Sequence, residues 1–469
     1  MTAQDPFALE SAAKLMQDPV HYHALARPQT PALAYPEGII TYRDLDRIVH
    51  GTSVKLASTR APRIALCLPR DWKPVVIILA CLRYGISACP ISTRLPPTSV
   101  RARVDEVAAG LLVAARTDRA ADVVACEDVI GEGDPTDAKW NADASATLVF
   151  TTGTTGESKA AVHSIGNHVY SALGSNENIP LSPGDRWWLS LPLNHVGGLG
   201  ILFRCILAGA TVVIAPSWSE AANLGVTHMS LVPTQLREMV HEKAPKKLKA
   251  VLVGGSACSS GLVDVAVDQG FPVHTTYGMT ETTSQVATTP PQASAEQLRS
   301  SGQLLRWREL KIGESGEILL RGPVLCKGYL VNGAITRLTG DDGWFHSGDL
   351  GRLDCGGFVH VFGRLDNMFI SGGENIYPEE VERALCTLDS VIDAVVVPVD
   401  DGIYGQRPVA FIRPDGELPT PEILRACLKS TLPSFKIPDA VHRWPRDIAT
   451  RGGKIDRLEL ARSARSQMA

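Results

Sequence analysis

The amino-acid sequence predicts an α/β protein: a large N-terminal domain of mixed, mostly parallel sheets layered with helices, and a small α+β C-terminal domain. Short runs rich in Val, Ile and Leu, such as 63–69, 146–151 and 228–233, alternate with helical patterns. Continuous apolar strands separated by helices are typical of a parallel sheet covered on both faces. After about residue 310 the strands become short and are punctuated by glycine, which predicts antiparallel hairpins in a small β-barrel-like part.

The chain has 469 residues, and single hydrophobic cores stop growing near ~250–300 residues. A change of pattern near Arg364–Asp366 therefore predicts a boundary between an N-terminal domain, 1–365, and a mobile C-terminal domain, 366–469. The C-terminal pattern predicts a helix from Pro378 to about Leu388, strands at Val391–Val397 and Pro408–Ile412, and a helix at Pro421–Leu432.

The composition excludes several classes of protein. A formal net charge of -4 favours neither nucleic acid nor an anionic membrane surface as a partner. The longest apolar stretch, Pro74 to Leu82, is too short to span a bilayer, and the first residues lack the pattern of a secretory signal. The ten cysteines form no Cys-x-x-Cys pair and mostly lie in apolar runs, which indicates a reducing compartment. We expect a cytoplasmic protein; the sequence leaves its oligomeric state open, and a homo-oligomer is compatible with it.

The segment from Thr151 to Lys159, TTGTTGESK, follows a predicted strand and has the composition of a phosphate-binding loop. Glycines allow a tight turn that presents N–H groups to an anion, and hydroxyls with a lysine suit a polyphosphate. The spacing differs from that of a Walker A loop. Taken alone, the segment also fits a plain turn between two strands. The candidate phosphate-binding residues are Thr151, Thr152, Gly153, Thr154, Thr155, Gly156 and Lys159.

This loop resembles the phosphate loop of the adenylate-forming enzymes, the family of acyl- and aryl-CoA synthetases. Three later segments resemble further motifs of the family in the expected order: Tyr277-Gly-Met-Thr-Glu281, His346-Ser-Gly-Asp349 and Arg451-Gly-Gly-Lys-Ile455. The resemblance covers nearly the whole chain. It implies an acid–thiol ligase that uses ATP, Mg²⁺ and coenzyme A, joining a carboxylic acid first to AMP and then to the thiol of coenzyme A.

The resemblance also implies roles for single residues. Asp349 is expected to accept both ribose hydroxyls, as acidic residues do in other nucleotide sites, and Glu281 to hold Mg²⁺, which prefers carboxylate and phosphate oxygen. Lys454 is expected to stabilise negative charge in the transition state of adenylation. The other predicted nucleotide-binding residues are Gly254, Gly255, Ser256, Tyr277, Gly278, Thr280 and Arg364.

Two further groups of residues follow from the resemblance. Asp366 matches the hinge on which the C-terminal domain swings between two poses, one for each half-reaction. The loop of Ser371, Gly372, Gly373 and Glu374 matches the segment that approaches the thiol in the second pose. A hinge needs only a few residues that absorb a backbone change.

The acid is predicted to lie near the segment Leu191–Gly198. His195 matches the histidine placed over the carboxylate and the thiol channel, and Asn194 stands where an aromatic residue is commoner. Arg204 is the candidate for a second carboxylate because it interrupts an apolar helix, and a buried carboxylate needs a fixed cation. The alternative is that Arg204 lies on a solvent-exposed face of this helix and binds no substrate. The stretches 192–204, 230–236, 363–382 and 404–410 resemble most closely a member of the family whose substrate carries two carboxylates and a ketone.

Other functions remain open at this stage. An aryl- or fatty-acid-CoA ligase would use the same mechanism, and a carrier-loading enzyme would share the first half-reaction, although the chain shows no carrier domain. A non-catalytic nucleotide-binding scaffold would have lost catalytic positions. Instead Glu281, Asp349, Arg364 and Lys454 are all present, which favours an enzyme.

Overall fold

The computed structural model describes residues 15–115, 122–136, 138–151, 159–388, 390–445, 450–451, 454–455 and 457–468. Five of the predicted phosphate-loop residues, Thr152, Gly153, Thr154, Thr155 and Gly156, lie outside the described residues. For Lys454 the structure describes the backbone alone.

The helices are spread along the whole chain. In chain order they are α1 (Pro19–Ala26), α2 (Tyr42–Ser58), α3 (Trp72–Tyr84), α4 (Pro97–Glu106), α5 (Cys126–Val129), α6 (Ile165–Asn178), α7 (Val196–Ala208), α8 (Trp218–Asn223), α9 (Pro233–Met239), α10 (Ser260–Asp268), α11 (Ala295–Leu298), α12 (Pro378–Leu385), α13 (Pro421–Leu428) and α14 (Arg457–Met468).

The strands alternate with these helices and become denser after residue 300. They are β1 (Leu15–Gln17), β2 (Pro31–Tyr35), β3 (Gly38–Thr41), β4 (Arg63–Cys67), β5 (Ser87–Pro90), β6 (Leu111–Ala114), β7 (Val123–Ala125), β8 (Lys139–Asn141), β9 (Ser145–Thr151), β10 (Lys159–Ser164), β11 (Arg186–Trp188), β12 (Thr211–Val213), β13 (His228–Leu231), β14 (Ala250–Val253), β15 (Val273–Met279), β16 (Ser284–Thr288), β17 (Gln303–Leu304), β18 (Glu309–Ile312), β19 (Glu317–Arg321), β20 (Gly328–Val331), β21 (Ala334–Thr336), β22 (Phe345–Leu353), β23 (Val359–Arg364), β24 (Phe369–Ser371), β25 (Glu374–Ile376), β26 (Val391–Asp401), β27 (Gly405–Pro414), β28 (Ala440–Arg443), β29 (Thr450–Arg451) and β30 (Lys454–Ile455).

Two large sheets form the N-terminal part. One has eight strands in the order β21-β20-β10-β9-β5-β4-β6-β7, and the other has nine in the order β17-β16-β15-β14-β13-β11-β12-β2-β3. In the eight-stranded sheet β9, β5, β4, β6 and β7 are parallel, and β10, β20 and β21 extend it by antiparallel pairs. In the nine-stranded sheet the strands from β15 to β2 are parallel, and the pairs at both ends are antiparallel. The largest core joins both sheets to helices between them, with Leu33 of β2, Ile64 of β4, Leu45 of α2, Ile77 of α3 and Phe203 of α7 all buried. The predicted layered α/β architecture is confirmed.

The last third of the chain forms two smaller sheets. Strands β18, β19, β22 and β23 make a four-stranded antiparallel sheet, as the glycine-punctuated pattern predicts. A five-stranded sheet of β24 to β28 follows, and its core contains residues of α12 and α13. Between the two sheets lies a short 3₁₀ turn, Leu365–Asn367, at the predicted domain boundary.

The C-terminal elements differ from prediction at their ends. Helix α12 ends at Leu385 rather than near Leu388, because its last turn tightens into bonds such as Thr387 N–H to the Ala384 carbonyl, 3.2 Å. Helix α13 ends at Leu428 rather than Leu432 for the same reason, with Thr431 N–H bonded to the Leu428 carbonyl at 2.9 Å. Among the described residues, every helix is too short or too polar to cross a bilayer.

Candidate active site

The strand β15 and the turn after it form the floor of the candidate site. β14 and β15 are parallel neighbours, so the Gly254–Ser256 turn and the Tyr277–Glu281 segment lie at the same edge of the sheet, where α/β proteins bind ligands. Close packing explains the glycines. A Cβ on Gly278 would lie 1.8 Å from the Ser284 carbonyl oxygen, and a Cβ on Gly254 would lie 2.5 Å from the Thr276 methyl group.

Asp349 is the buried carboxylate of this site. The Tyr277 hydroxyl donates to its Oδ2 at 2.7 Å, and Nη1 of Arg364 donates to its Oδ1 at 3.1 Å. Burial, followed by the neighbouring Asp349, raises the pKa of Tyr277 well above its usual value, so the phenol remains a donor. The sequence-predicted residues Tyr277, Asp349 and Arg364 are thus brought together. A carboxylate oxygen has two lone pairs and can accept more than one hydrogen bond, which suits the ribose-binding role predicted for Asp349.

Arg364 forms hydrogen bonds both to Asp349, the predicted ribose ligand, and to Asp366, the predicted hinge residue. Its Nη2 donates to Oδ2 of Asp366 at 3.0 Å while Nη1 holds Asp349. Burial opposes the charge on this guanidinium, but Asp349 and Asp366 outweigh it and raise its pKa. Its Nε is buried and, among the described residues, has no hydrogen-bond partner. Such an orphaned donor beside a carboxylate fits a site that a polar ligand completes.

Glu281 lies beside the base of the predicted phosphate loop. The Tyr329 hydroxyl donates to its Oε1 at 2.6 Å, and the Lys159 ammonium lies 5.5 Å from the centre of the Tyr329 ring. Thr151 and Lys159 are paired residues of the antiparallel strands β9 and β10, so the two described ends of the predicted phosphate loop lie side by side. Both the prediction of a phosphate loop and the alternative of a plain turn concern residues 152–158, which lie outside the described residues.

A magnesium ion fits this arrangement through Glu281. Within the described ranges, no group of three or more His, Cys, Asp or Glu residues could hold a metal. Mg²⁺ is usually bound by one or two carboxylates together with substrate phosphates and water rather than by a complete protein cage. A single carboxylate near a phosphate loop is therefore a suitable donor set, and Glu281 stays the predicted ligand.

Arg204 is buried in the protein, with 1% of its surface exposed. The alternative of a surface-facing helix arginine is wrong. Its Nη2 donates to Oε1 of Gln285 at 2.7 Å and to Oγ of Ser284 at 3.3 Å. Its Nε and Nη1 are buried with no hydrogen-bond partner among the described residues, and no carboxylate of those residues pairs with it. Burial lowers its pKa to about 10, so the guanidinium is charged at neutral pH.

The helix α7 brings this guanidinium close to the segment Tyr277–Glu281, the adenylate motif. Helical side chains point toward the N-terminus of their helix, and Arg204 extends back over Gly200, where a Cβ would lie 3.1 Å from its Nη2. Its partner Ser284 pairs across strands with Met279. His195 and Asn194 are half-buried residues at the beginning of α7. The structure thus brings the predicted acid-binding residues onto one element beside the nucleotide motif.

The residues predicted to act from the C-terminal part lie on or between the strands β24, β25 and β30. Gly372 and Gly373 have φ values of 59° and 88° and form the two-residue turn between β24 and β25, a conformation that favours glycine. Gly372, Gly373 and Glu374 are exposed, whereas Ser371 is buried and accepts from Arg407 at 3.2 Å. Lys454 belongs to β30, and Arg457, three residues later, is bonded to Glu382 and to the Val396 carbonyl.

The sequence analysis did not identify several polar neighbours of this site. Tyr329, Gln285, Ser284 and His163 each contact a predicted site residue. Tyr329 follows a glycine in a strand-like segment, and the other three carry no local motif. Their positions depend on the pairing of distant strands, which one sequence does not display.

The fold and this site define an AMP-binding enzyme. Residues 20–330 match the family model described as AMP-binding enzyme, and residues 380–454 match that of the AMP-binding enzyme C-terminal domain. Because the first match covers more than half of the chain, the chain belongs to the AMP-binding enzyme family.

Particular members of the family are similar to nearly the whole chain. The 2-succinylbenzoate–CoA ligase of Bacillus pumilus is 33% identical over 450 residues, which is 90% of this chain and 92% of the relative. The o-succinylbenzoate CoA synthetase (MenE) of Bacillus subtilis, solved with the acyl-adenylate intermediate OSB-AMP, is 29% identical with a TM-score of 0.86 and covers 95% of this chain and 98% of its own. The same enzyme solved with ATP and magnesium ion is 30% identical with a TM-score of 0.85 and covers 95% and 99%. The predicted family, enzyme class and cofactors are confirmed.

Proposed function

We propose that this chain joins 2-succinylbenzoate to coenzyme A, through an acyl-adenylate, in menaquinone biosynthesis. The observation that carries the proposal is the buried guanidinium of Arg204, which has no anionic partner among the described residues. Burying such a cation costs several kcal/mol. An acid with a second carboxylate offsets this cost when it binds. The names of the relatives support the same substrate.

In the first half-reaction the chain binds ATP and presents the acid to its α-phosphorus. Asp349, held by Tyr277 and Arg364, accepts the ribose hydroxyls. Thr280 and Lys159 face the phosphates, and Mg²⁺ held by Glu281 supplies charge neutralisation there. A carboxylate oxygen of the acid forms a bond to the α-phosphorus, and the bond from that phosphorus to the pyrophosphate oxygen breaks.

Lys454 acts on the charge that develops in this step. Negative charge builds on the phosphoryl oxygens during attack, and a fixed cation placed there stabilises the transition state. Arg457 anchors the Lys454 segment to α12 through Glu382 and to β26 through the Val396 carbonyl. Lys454 therefore moves with the C-terminal domain, which we propose as residues 366–469.

In the second half-reaction coenzyme A displaces AMP. The thiol sulfur forms a bond to the acyl carbon, the bond from that carbon to the phosphate oxygen breaks, and the thiol proton is lost. We propose that the C-terminal domain turns about Asp366 to bring the Ser371–Glu374 loop to the thiol. The loop's exposure in this structure, at Gly372 to Glu374, supports an arrangement other than that second pose. His195, at the start of the helix that carries Arg204, is proposed to lie over the reacting carboxylate.

The acid is held by its second carboxylate on Arg204. The unpartnered Nε and Nη1 each have hydrogens left to donate, and a hydrogen bond from a guanidinium to a carboxylate is stronger than one between neutral groups. Gln285 and Ser284 occupy Nη2 and fix the plane of the guanidinium. Asn194 is proposed to complete the acid pocket. An aryl- or fatty-acid-CoA ligase has no use for this charge, which is why the dicarboxylic acid is preferred. A cytoplasmic location stays a prediction, and the oligomeric state stays open.

The test is pyrophosphate release from ATP over a panel of acids, followed by thioester analysis with coenzyme A. We expect release with 2-succinylbenzoate and little with benzoate, decanoate or 4-oxo-4-phenylbutyrate, which retains the ketone but lacks the ring carboxylate. Losing one charge-assisted hydrogen-bonded pair weakens binding by about 2–5 kcal/mol. Equal rates of pyrophosphate release with 4-oxo-4-phenylbutyrate and with 2-succinylbenzoate would contradict the proposed substrate. Absence of pyrophosphate release with every acid of the panel would contradict the enzymatic function.

A further inference from the structure

A buried histidine links the strand after the phosphate loop to the adenylate motif. His163 lies on β10 with 0% of its surface exposed. Its Nε2 is 2.8 Å from the backbone carbonyl oxygen of Thr280. A carbonyl only accepts, so Nε2 carries the hydrogen and donates it. β10 begins at Lys159, the last residue of the predicted phosphate loop, so one side chain connects the two nucleotide motifs.

The turn that His163 contacts, residues 280–284, has an unusual backbone. Thr283 has a φ of 56° and Ser284 a φ of 128°, values that residues other than glycine seldom adopt and that persist only when surrounding contacts impose them. Within the turn, Thr283 N–H donates to the Thr280 carbonyl at 3.0 Å and Met279 N–H to the Thr282 hydroxyl at 3.1 Å.

Contacts from other parts of the chain fix this turn on several sides. Cys326 N–H donates to the Glu281 carbonyl at 2.8 Å, and the Ser171 hydroxyl donates to the Thr283 carbonyl at 3.1 Å. The His163 bond is the contact from the phosphate-loop side. It reaches the carbonyl of Thr280, directly between the two side chains assigned to the phosphate and the metal.

We propose that His163 is a positioning residue for adenylation: by holding the Thr280 carbonyl, it sets the Thr280 hydroxyl and the Glu281 carboxylate relative to the phosphate loop. The inference rests on the proposed function, because that function makes ATP the ligand of this site. A neighbouring histidine gives the matched comparison. His168 is also buried and stacks on Phe203 with ring centres 4.3 Å apart, and its Nε2 bonds the Thr147 hydroxyl at 2.8 Å. It has no contact with the turn among the hydrogen bonds of the described residues.

The variants are His163→Leu, which removes the donor, His163→Gln, which keeps an N–H at similar reach, and His168→Leu as control. The measurements are the Kd for ATP by calorimetry, kcat and KM for ATP and for acid in pyrophosphate release, and the melting temperature. We expect His163→Leu to lower kcat/KM for ATP by roughly 5- to 20-fold, the effect of one lost hydrogen bond and the disorder that follows it. The KM for the acid should stay unchanged, and His163→Gln should recover most of the loss.

The His168→Leu control distinguishes an effect on the position of the ATP-binding residues from a general loss of stability. His168→Leu should lower the melting temperature while leaving the ATP parameters near wild type. Equal loss of ATP affinity in His163→Leu and His168→Leu, or no recovery in His163→Gln, would overturn the proposal. If the wild-type protein binds ATP but ligates no acid, the proposed function fails, and the Kd values for ATP still decide the role of His163.

Discussion

Replacing Arg204 with methionine is expected to remove the protein's preference for a dicarboxylic acid without a large change in its stability. Methionine fills a similar volume without a charge, and replacing buried ionic pairs with apolar residues is neutral or stabilising by about 1–4 kcal/mol. Against this, Oε1 of Gln285 loses a donor at a cost of about 1–3 kcal/mol, and the guanidinium loses its place 5.1 Å from the centre of the Trp187 ring. We expect a melting temperature near that of the wild type together with a KM for 2-succinylbenzoate raised by roughly 30-fold or more, the equivalent of about 2 kcal/mol.

Arg308 offers a matched control for this prediction. It is also a buried arginine, and burial lowers its pKa to about 9. Its donors are engaged, however: they reach the carbonyls of Gln285 at 3.0 Å, Arg306 at 2.7 Å and Ser171 at 3.1 Å. Arg308→Met leaves these carbonyls unpaired and should destabilise the protein. A destabilised Arg204→Met with an unchanged KM for the acid would show that Arg204 is structural.

Replacing Lys454 with alanine is expected to abolish adenylation and to leave the second half-reaction intact. Removing one preorganised charge from a transition state costs on the order of 100- to 1000-fold in rate. Pyrophosphate release should fall by this amount, whereas thioester formation from supplied acyl-adenylate and coenzyme A should be largely unchanged. In the second step the thiol attacks the acyl carbon and AMP leaves with the electron pair of the broken bond, so the attack on phosphorus that Lys454 is proposed to assist does not take place.

Lys429→Ala is the control for the lysine. Lys429 is an exposed residue of the same part of the chain, after α13, and its removal changes the net charge by the same amount. It should leave both half-reactions unaffected. Equal losses in both half-reactions for Lys454→Ala would contradict the role assigned to Lys454.

The fold was largely predictable because its elements are encoded locally. The apolar runs at 63–69 and 228–233 are the strands β4 and β13, since a strand buried on both faces needs continuous apolar residues. The antiparallel sheet after residue 310 also follows from short, glycine-bounded runs. Helix ends were less predictable, because the last turns of α12 and α13 tighten into bonds between residues three apart, which the apolar pattern does not distinguish from continued helix.

The candidate site was predictable only in part. Residues with a sequence motif, such as Asp349 and Glu281, could be proposed from the sequence, and the structure brings Asp349 together with Tyr277 and Arg364. Arg204 was proposed because a charge interrupts an apolar helix. Its supports Gln285 and Ser284 lie about 80 residues away on β16, and their contact arises from the packing of α7 on the sheet. Such non-local contacts leave no pattern in one sequence.

The most direct test of the central claim is a crystal structure of the protein with a stable sulfamate analogue of 2-succinylbenzoyl-adenylate. The account predicts the ribose hydroxyls on Asp349, the sulfamate between Thr280 and the loop that ends at Lys159, and the ring carboxylate on one of the unpartnered nitrogens of Arg204, Nε or Nη1. An analogue bound with its ring carboxylate away from Arg204, or with its ribose away from Asp349, would contradict it.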